Sequence, residues 1–287
     1  MRDEYFEEIK IKGYSKKKGI KKEKTSTFDD IDFKKSLGQN FISDKNLLNS
    51  IADIAEVSKN DSVLEIGAGA GTLTAVLATR AKEVISFEID KNLQPVLEKV
   101  SSLYKNLDLR FMDFMQADIA NLFKGKYKVV ANIPYYITTP IIFKLLNFKD
   151  EISLMLFMVQ KEVAERFASK EGNKMYGITS VILQAIADVS YEKTVKKECF
   201  TPHPKVDSAL IKIKFHNKYK FENFENFKTF IHASFAMRRK TLINNLMAKL
   251  NLNREDLMKI FDKLGFAYTV RPEDLSVDQF VKLYNNL

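Results

Sequence analysis

From residue 46 onward the chain alternates between two spacings of apolar residues. Asn46–Val57 places Leu47, Leu48, Ile51, Ile54 and Ala55 at helical intervals. SVLEI (62–66) is a compact apolar run of strand type, and a glycine-rich segment separates it from the helical TLTAVLATR (72–80). EVISFEID (83–90) and NLQPVLEKV (92–100) repeat the strand-then-helix order. LDLRFM (107–112), YKVVANI (127–133) and ISLMLFMVQ (152–160) add three strand candidates, and SALIKIKFH (208–216) alternates with period two, as a late edge strand would. Strands alternating with helices in this way predict an α/β fold with a doubly wound, mainly parallel sheet.

After residue 217 the spacing becomes helical throughout. FENFKTFIHASFAMRRKTLINNLMAKL, REDLMKIFDKLGF and SVDQFVKLYNNL contain no strand candidate, and Ser276 suits the N-cap of the last helix. Three segments are therefore expected: a lysine-rich tail over 1–33, an α/β domain over 34–216, and a small all-helical domain over 217–287.

Charge sharpens this division. Of the formal +9, residues 10–24 hold eight lysines and one glutamate, and residues 191–249 hold thirteen Lys or Arg against five Asp or Glu. The stretch between is slightly acidic, so a polyanionic partner is expected to be met on the tail and the later part of the chain. One cysteine, Cys199, rules out an internal disulfide. No apolar run is long enough to span a membrane, and the acids Asp3, Glu4, Glu7 and Glu8 argue against a transit peptide. A cytoplasmic setting is expected. His203, His216 and His232 have no metal or triad spacing, so no metal site is expected.

Two motifs carry candidate chemistry. Gly67-Ala68-Gly69-Ala70-Gly71 joins the first long strand to its helix, where small residues let a ligand approach the backbone. Alone, this loop suits NAD, FAD, S-adenosylmethionine or no ligand at all. Its G-x-G-x-G spacing differs from the dinucleotide fingerprint, and Glu65 just before it disfavours a pyrophosphate while tolerating a cationic methionine moiety. Glu88 ends the next strand, placed to accept from ribose hydroxyls, and Asp113 ends the third, placed to accept from an adenine amine.

The second motif, Asn132-Ile133-Pro134-Tyr135-Tyr136, follows the fourth strand. The exocyclic amine of adenine is a poor nucleophile because its lone pair is conjugated into the ring. Two acceptors, the Asn132 side-chain oxygen and the Ile133 carbonyl, would favour a tetrahedral nitrogen. Pro134 would stiffen the turn and Tyr135 stack on the base. A proline turn with locally packed tyrosines is the alternative for this motif alone.

With these residues in view, the chain resembles the ribosomal RNA adenine dimethyltransferases of the KsgA type. The resemblance runs from KKSLGQNFISD (34–44) through EIGAGAG, FEID, NIPYYITTPII and FTPHPKVDSALI (200–211) to FAMRRKTLINNL (235–246), and covers about residues 34–287. It implies a Rossmann-like class I methyltransferase sheet with a helical C-terminal domain and S-adenosylmethionine as cofactor. The implied activity is dimethylation of two adjacent adenosines near the 3′ end of small-subunit ribosomal RNA, within a late pre-ribosomal small subunit. It also implies that Gln39, Asn40 and Ile42 close over the methionine end, that Gly67, Gly69, Glu88 and Asp113 hold the cofactor, and that Asn132 lies between cofactor and target. Phe200 would pack on the base opposite Tyr135, or else be a core residue. Arg238, Arg239 and Lys240 would form an RNA-facing cluster on a helix whose Phe235 and Leu242 face inward. The tail before the QNF motif is longer than is usual in this family, and its lysines suggest a phosphate-binding arm. A monomer suffices for all of this. Two other readings remain: an Erm-type enzyme acting on large-subunit RNA, and a non-enzymatic RNA-binding factor on a retained fold, which intact motifs disfavour.

Overall fold

The computed structural model describes residues 40–287. The tail over 1–33 and Gln39 lie outside them.

The described chain forms two compact units. The first contains the residues up to Lys161 together with Glu192–Lys212. Its elements are β1 (Phe41–Ile42), α1 (Lys45–Ile54), β2 (Ser62–Ile66), α2 (Thr72–Arg80), β3 (Glu83–Glu88), α3 (Gln94–Leu103), β4 (Leu107–Phe111), β5 (Tyr127–Asn132), α4 (Thr138–Leu146) and β6 (Ile152–Gln160). Asp44 caps α1, its carboxylate accepting from Asn46 N and Leu47 N. α2 shows little amphipathicity because Thr72 to Ala78 are all buried, as expected of a helix enclosed by the core.

Three further strands follow: β7 (Ala187–Val195), β8 (Phe200–Thr201) and β9 (Ser208–Phe215). The main sheet has the order β4-β3-β2-β5-β6-β9-β7, and its first five strands pair in parallel. The direction of winding reverses between β2 and β5, which puts a ligand crevice at their carboxyl ends. β1 and β8 form a separate antiparallel pair, with Ile42 opposite Phe200.

One expectation is corrected here. SALIKIKFH forms β9, but β9 lies between β6 and β7 and is not an edge. The edge is β7, which periodicity did not reveal because most of its side chains are polar and at least partly exposed.

The second unit comprises Glu162–Tyr191 and Ile213–Leu287. It holds most of α5 (Lys161–Ala168), α6 (Ile178–Gln184), α7 (Phe224–Ser234), α8 (Leu242–Leu250), α9 (Arg254–Leu264) and α10 (Val277–Tyr284). Residues 162–191, which sequence alone groups with the α/β domain, pack with these later helices. Tyr176 Oη donates to Leu275 O at 2.9 Å, Gly172 N donates to Glu273 O at 2.9 Å, and the Tyr176 ring meets Phe235 edge-on. The unit's centre is aromatic: Phe227 touches Phe221, Phe230 and Tyr284, and Phe280 joins Phe230 to Phe235.

One carboxylate is buried inside the first unit. Glu65 on β2 is fully enclosed; its Oε2 accepts from Thr74 Oγ1 of α2 and Ser86 Oγ of β3, each at 2.6 Å. Its Oε1 has no partner among the described residues. Burial pushes its pKa from 4.5 up to about 7, against the pull of the two hydroxyls. The folded state therefore holds this proton more tightly than the unfolded chain. The associated stability is full below pH 4.5 and is lost as pH rises through about 7. Glu65→Gln keeps an acceptor for both hydroxyls without the titration. Between pH 4 and 8, urea unfolding should show wild type losing about 3 kcal/mol more than the variant; parallel profiles would remove Glu65 as the source.

Candidate active site

The loop after β2 is shaped by the end of β3. Gly67 N and Ala68 N both donate to Phe87 O, at 2.8 and 3.1 Å, and Gly69 N donates to Glu88 Oε2 at 2.8 Å. Glu88 Oε1 accepts from Asp90 N at 2.8 Å. Gly67 and Gly69 have φ of +81° and +57°, which L side chains rarely adopt. Space enforces the same choice at Gly69. A Cβ on Gly69 would lie 3.0 Å from the Phe41 ring, and one on Gly67 would lie 3.7 Å from Asn132 O and 4.0 Å from Pro134 Cδ. The glycine loop and the NIPYY turn thus abut across the switch point.

Around them opens a cleft of about 1020 Å³, counted out to its mouth. Its wall contains Asn40 and Ile42 from the N-terminal segment, Gly67 and Gly69, Glu88, Asp113, and the run Asn132 to Tyr135. These ten predicted residues come together. Among the described residues, Glu88 and Asp113 are the charged groups on the wall, and none there is Lys, Arg or His. Burial raises the pKa of Glu88, offset in part by amides of Asp90, Gly69 and Ile89. Asp113 accepts from Met115 N at 2.8 Å and from Gln116 Nε2 at 3.3 Å.

At the NIPYY turn, Asn132 Nδ2 donates to Asn40 O at 3.0 Å. That bond orients the amide and leaves Oδ1 as its open acceptor. Ile133 N donates to Met158 O at 3.3 Å, and the Ile133 side chain is buried. Tyr135 Oη shares a 2.6 Å hydrogen bond with Ser208 Oγ, and Ser208 is fully buried at the start of β9. Burial raises the Tyr135 pKa, with Ser208 pulling the other way.

Several expected residues are placed elsewhere. Glu65 is beneath the loop and not on the cleft wall. Phe200 is also absent from the wall and is 1% exposed, because pairing of β8 with β1 turns its side chain into the core. Arg238, Arg239 and Lys240 are exposed as expected, but on the connection between α7 and α8, not on a helix. Buried Asn245 holds that connection through both polar groups of Met237, accepting from its N–H at 2.8 Å and donating to its carbonyl at 3.3 Å. Leu242 is buried and Phe235 half-buried. Among the described residues no cluster could hold a metal ion.

Sequence reasoning missed Ile89, Met112 and Tyr136. All three are exposed large side chains (50, 41 and 62%), and all three line the cleft. For Ile89 and Met112 the available signal was an apolar residue next to a strand-end acid; Tyr136 stands in the NIPYY motif, without a role assigned to it. It also missed Phe41 and Ser208, which support the wall from segments remote in sequence.

Residues 31–287 match the family model described as ribosomal RNA adenine dimethylase. A Bacillus mycoides protein, ribosomal RNA small subunit methyltransferase A, is 43% identical over 266 residues, spanning 89% of this chain and 91% of its own length. A dimethyladenosine transferase from Plasmodium falciparum superposes with TM-score 0.76 at 27% identity, over 85% of this chain and 95% of that one. The 23S rRNA methyltransferase ErmE superposes with TM-score 0.71 at 25% identity, over 86% of this chain and 99% of its own.

The Tyr135–Ser208 bond makes a double-mutant cycle informative. Tyr135→Phe and Ser208→Ala each strand the other hydroxyl, and each should cost about 1–3 kcal/mol in urea unfolding. The double variant should cost clearly less than the two together. Strict additivity would mean that the two hydroxyls do not interact.

Proposed function

The chain belongs to the ribosomal RNA adenine dimethylase family, and on that premise we propose that it transfers methyl groups from S-adenosylmethionine to the N6 amines of two adjacent adenosines near the 3′ end of 16S ribosomal RNA, during late small-subunit assembly. The observation that carries this reading is the close approach of the glycine loop to the NIPYY turn, where a Cβ on Gly67 would lie 3.7 Å from Asn132 O and 4.0 Å from Pro134 Cδ.

The cleft fits the cofactor. Among the described residues its wall offers carboxylates and no cation, which suits a sulfonium and opposes the pyrophosphate of a dinucleotide. Glu88 is the residue to hold the ribose hydroxyls, Asp113 the adenine amine, and Asn40, Ile42, Gly67 and Gly69 the methionine end. Bound S-adenosylmethionine supplies an electrophilic methyl group. The protein's share is positioning. Asn132 Oδ1 and the Ile133 carbonyl accept the two N–H bonds of the adenine amine, drawing its lone pair out of the ring. Pro134 fixes the turn, and Tyr135, tethered by Ser208, stacks on the extruded base.

Arg238, Arg239 and Lys240 are assigned to RNA phosphates. They are exposed cations, and Asn245 fixes the segment that presents them. The partner is the 16S RNA of a pre-ribosomal small subunit, and the enzyme acts as a monomer in the cytoplasm. No described helix is long and apolar enough to cross a membrane. The likeness to ErmE shows that the fold alone does not choose the ribosomal subunit. The Bacillus relative and the RRKTLINNL signature favour the small one.

Two measurements test this reading. With radiolabelled S-adenosylmethionine and small subunits from a strain lacking the activity, label should enter 16S RNA as dimethyladenosine; label entering only large-subunit RNA overturns the substrate. Asn132→Ala should lower turnover by about 100-fold or more while retaining RNA binding, and wild-type turnover in that variant would refute its role.

A further inference from the structure

Lys144 has no part in the chemistry above, yet its placement is the most constrained of any lysine near the cleft. It lies in the last turn of α4, and its Nζ donates to three backbone carbonyls: Phe114 O at 2.7 Å, Met115 O at 2.9 Å and Ala117 O at 2.7 Å. All three ammonium protons are used. The same ammonium is 5.0 Å from the centroid of the Phe114 ring, within the range of a cation–π contact. Asp113 and Asp118 contribute the nearby negative charge, while burial works against the cation.

The three carbonyls belong to the segment that follows β4. That segment begins at Asp113, whose carboxylate is fixed by Met115 N and Gln116 Nε2, and Met112 to Met115 form one wall of the cleft. At its other end α4 starts at Thr138, directly after the NIPYY turn; Pro134 O accepts from Ile137 N at 3.1 Å and from Thr138 Oγ1 at 3.4 Å. One short helix therefore touches both ends of the cleft, the catalytic turn at its N-terminus and the Asp113 segment through Lys144.

We propose that Lys144 is a positioning residue for cofactor binding. By clamping Phe114–Ala117 to α4, it holds Asp113 and the adenine end of the cleft at a fixed distance from the Asn132–Tyr135 turn. This rests on the assignment of Asp113 to the adenine amine. An ammonium suits the task because it satisfies three converging carbonyls from one point, whereas a guanidinium projects its donors in a planar fork.

The probe is S-adenosylhomocysteine, with binding measured by calorimetry on the full chain. Lys144→Met keeps the stem and removes the three bonds. It should weaken binding about tenfold and raise KM for S-adenosylmethionine similarly, with kcat on small subunits held within about twofold. A role limited to global stability would lower the folded fraction and leave the KM of folded enzyme unchanged. Lys144→Arg, which keeps the charge, should also bind more weakly, and it serves if the methionine variant fails to fold. Asp113→Asn separates the two levels of the inference. If it weakens binding while both Lys144 variants bind like wild type, the clamp is wrong and the adenine assignment stands. If it too binds like wild type, the assignment fails and takes the clamp with it.

Discussion

Three consecutive amides leave the end of β2 and must find acceptors where strand pairing no longer supplies them. β3 provides them: the carbonyl of Phe87 takes two and the carboxylate of Glu88 the third. A buried N–H left without a partner costs about 1–3 kcal/mol, so the parallel register that sets Ile66 beside Phe87 also sets the path of the loop. Much else follows from that path. Gly67 is brought against the NIPYY turn, Gly69 against Phe41, and Glu88 is spent on holding the loop as well as facing the cleft. Glu65 braces the same corner from below, joining β2, β3 and α2 through two hydroxyls. Both glycines are thus required by backbone conformation, and Gly69 also by the Phe41 ring 3.0 Å from where its Cβ would lie.

The parts legible in the sequence were those where one physical demand sets the residue pattern. Strands buried on both faces read as apolar runs, so β2, β3, β5 and β6 were visible. The strand-end acids Glu88 and Asp113 stood out because charge is rare at the boundary of a core. The illegible parts were those where two demands compete. β7 pairs as a strand but is exposed along most of its length, so its polar residues masked it. Phe200 belongs to a conspicuous motif, yet pairing of β8 with β1 buries it. Arg238–Lys240 lie within a helical spacing, but the polar groups of Asn245 hold the backbone at Met237 in a non-helical turn. Tyr176, remote in sequence from the last helices, is tied to them by a hydrogen bond that no periodicity records.

The candidate site divides its labour between tethered and open groups. Asn132 uses its amide N–H on Asn40 and retains an acceptor, while Tyr135 uses its hydroxyl on Ser208 and retains a ring face. Each polar end is committed before any substrate arrives, so little side-chain freedom is left to lose on binding. Tyr136, next in the chain, is mostly exposed. Adjacent identical residues thus meet very different surroundings, a contrast set by tertiary pairing with β9 and not by the motif.

Among the described strands, the sheet ends at β4 on one side and at β7 on the other. Unpaired strand rims invite the addition of another chain, which leads to polymerisation. β4 carries Asp108 and Arg110, joined by a 2.8 Å ion pair, and β7 exposes Asp188, Glu192 and Lys193. A strand docking on either rim would have to strip water from ionic side chains at every second or third residue. The polarity that concealed β7 from a search for apolar periodicity is therefore a guard against aggregation, posted at the margins of a sheet whose interior strands are almost wholly apolar.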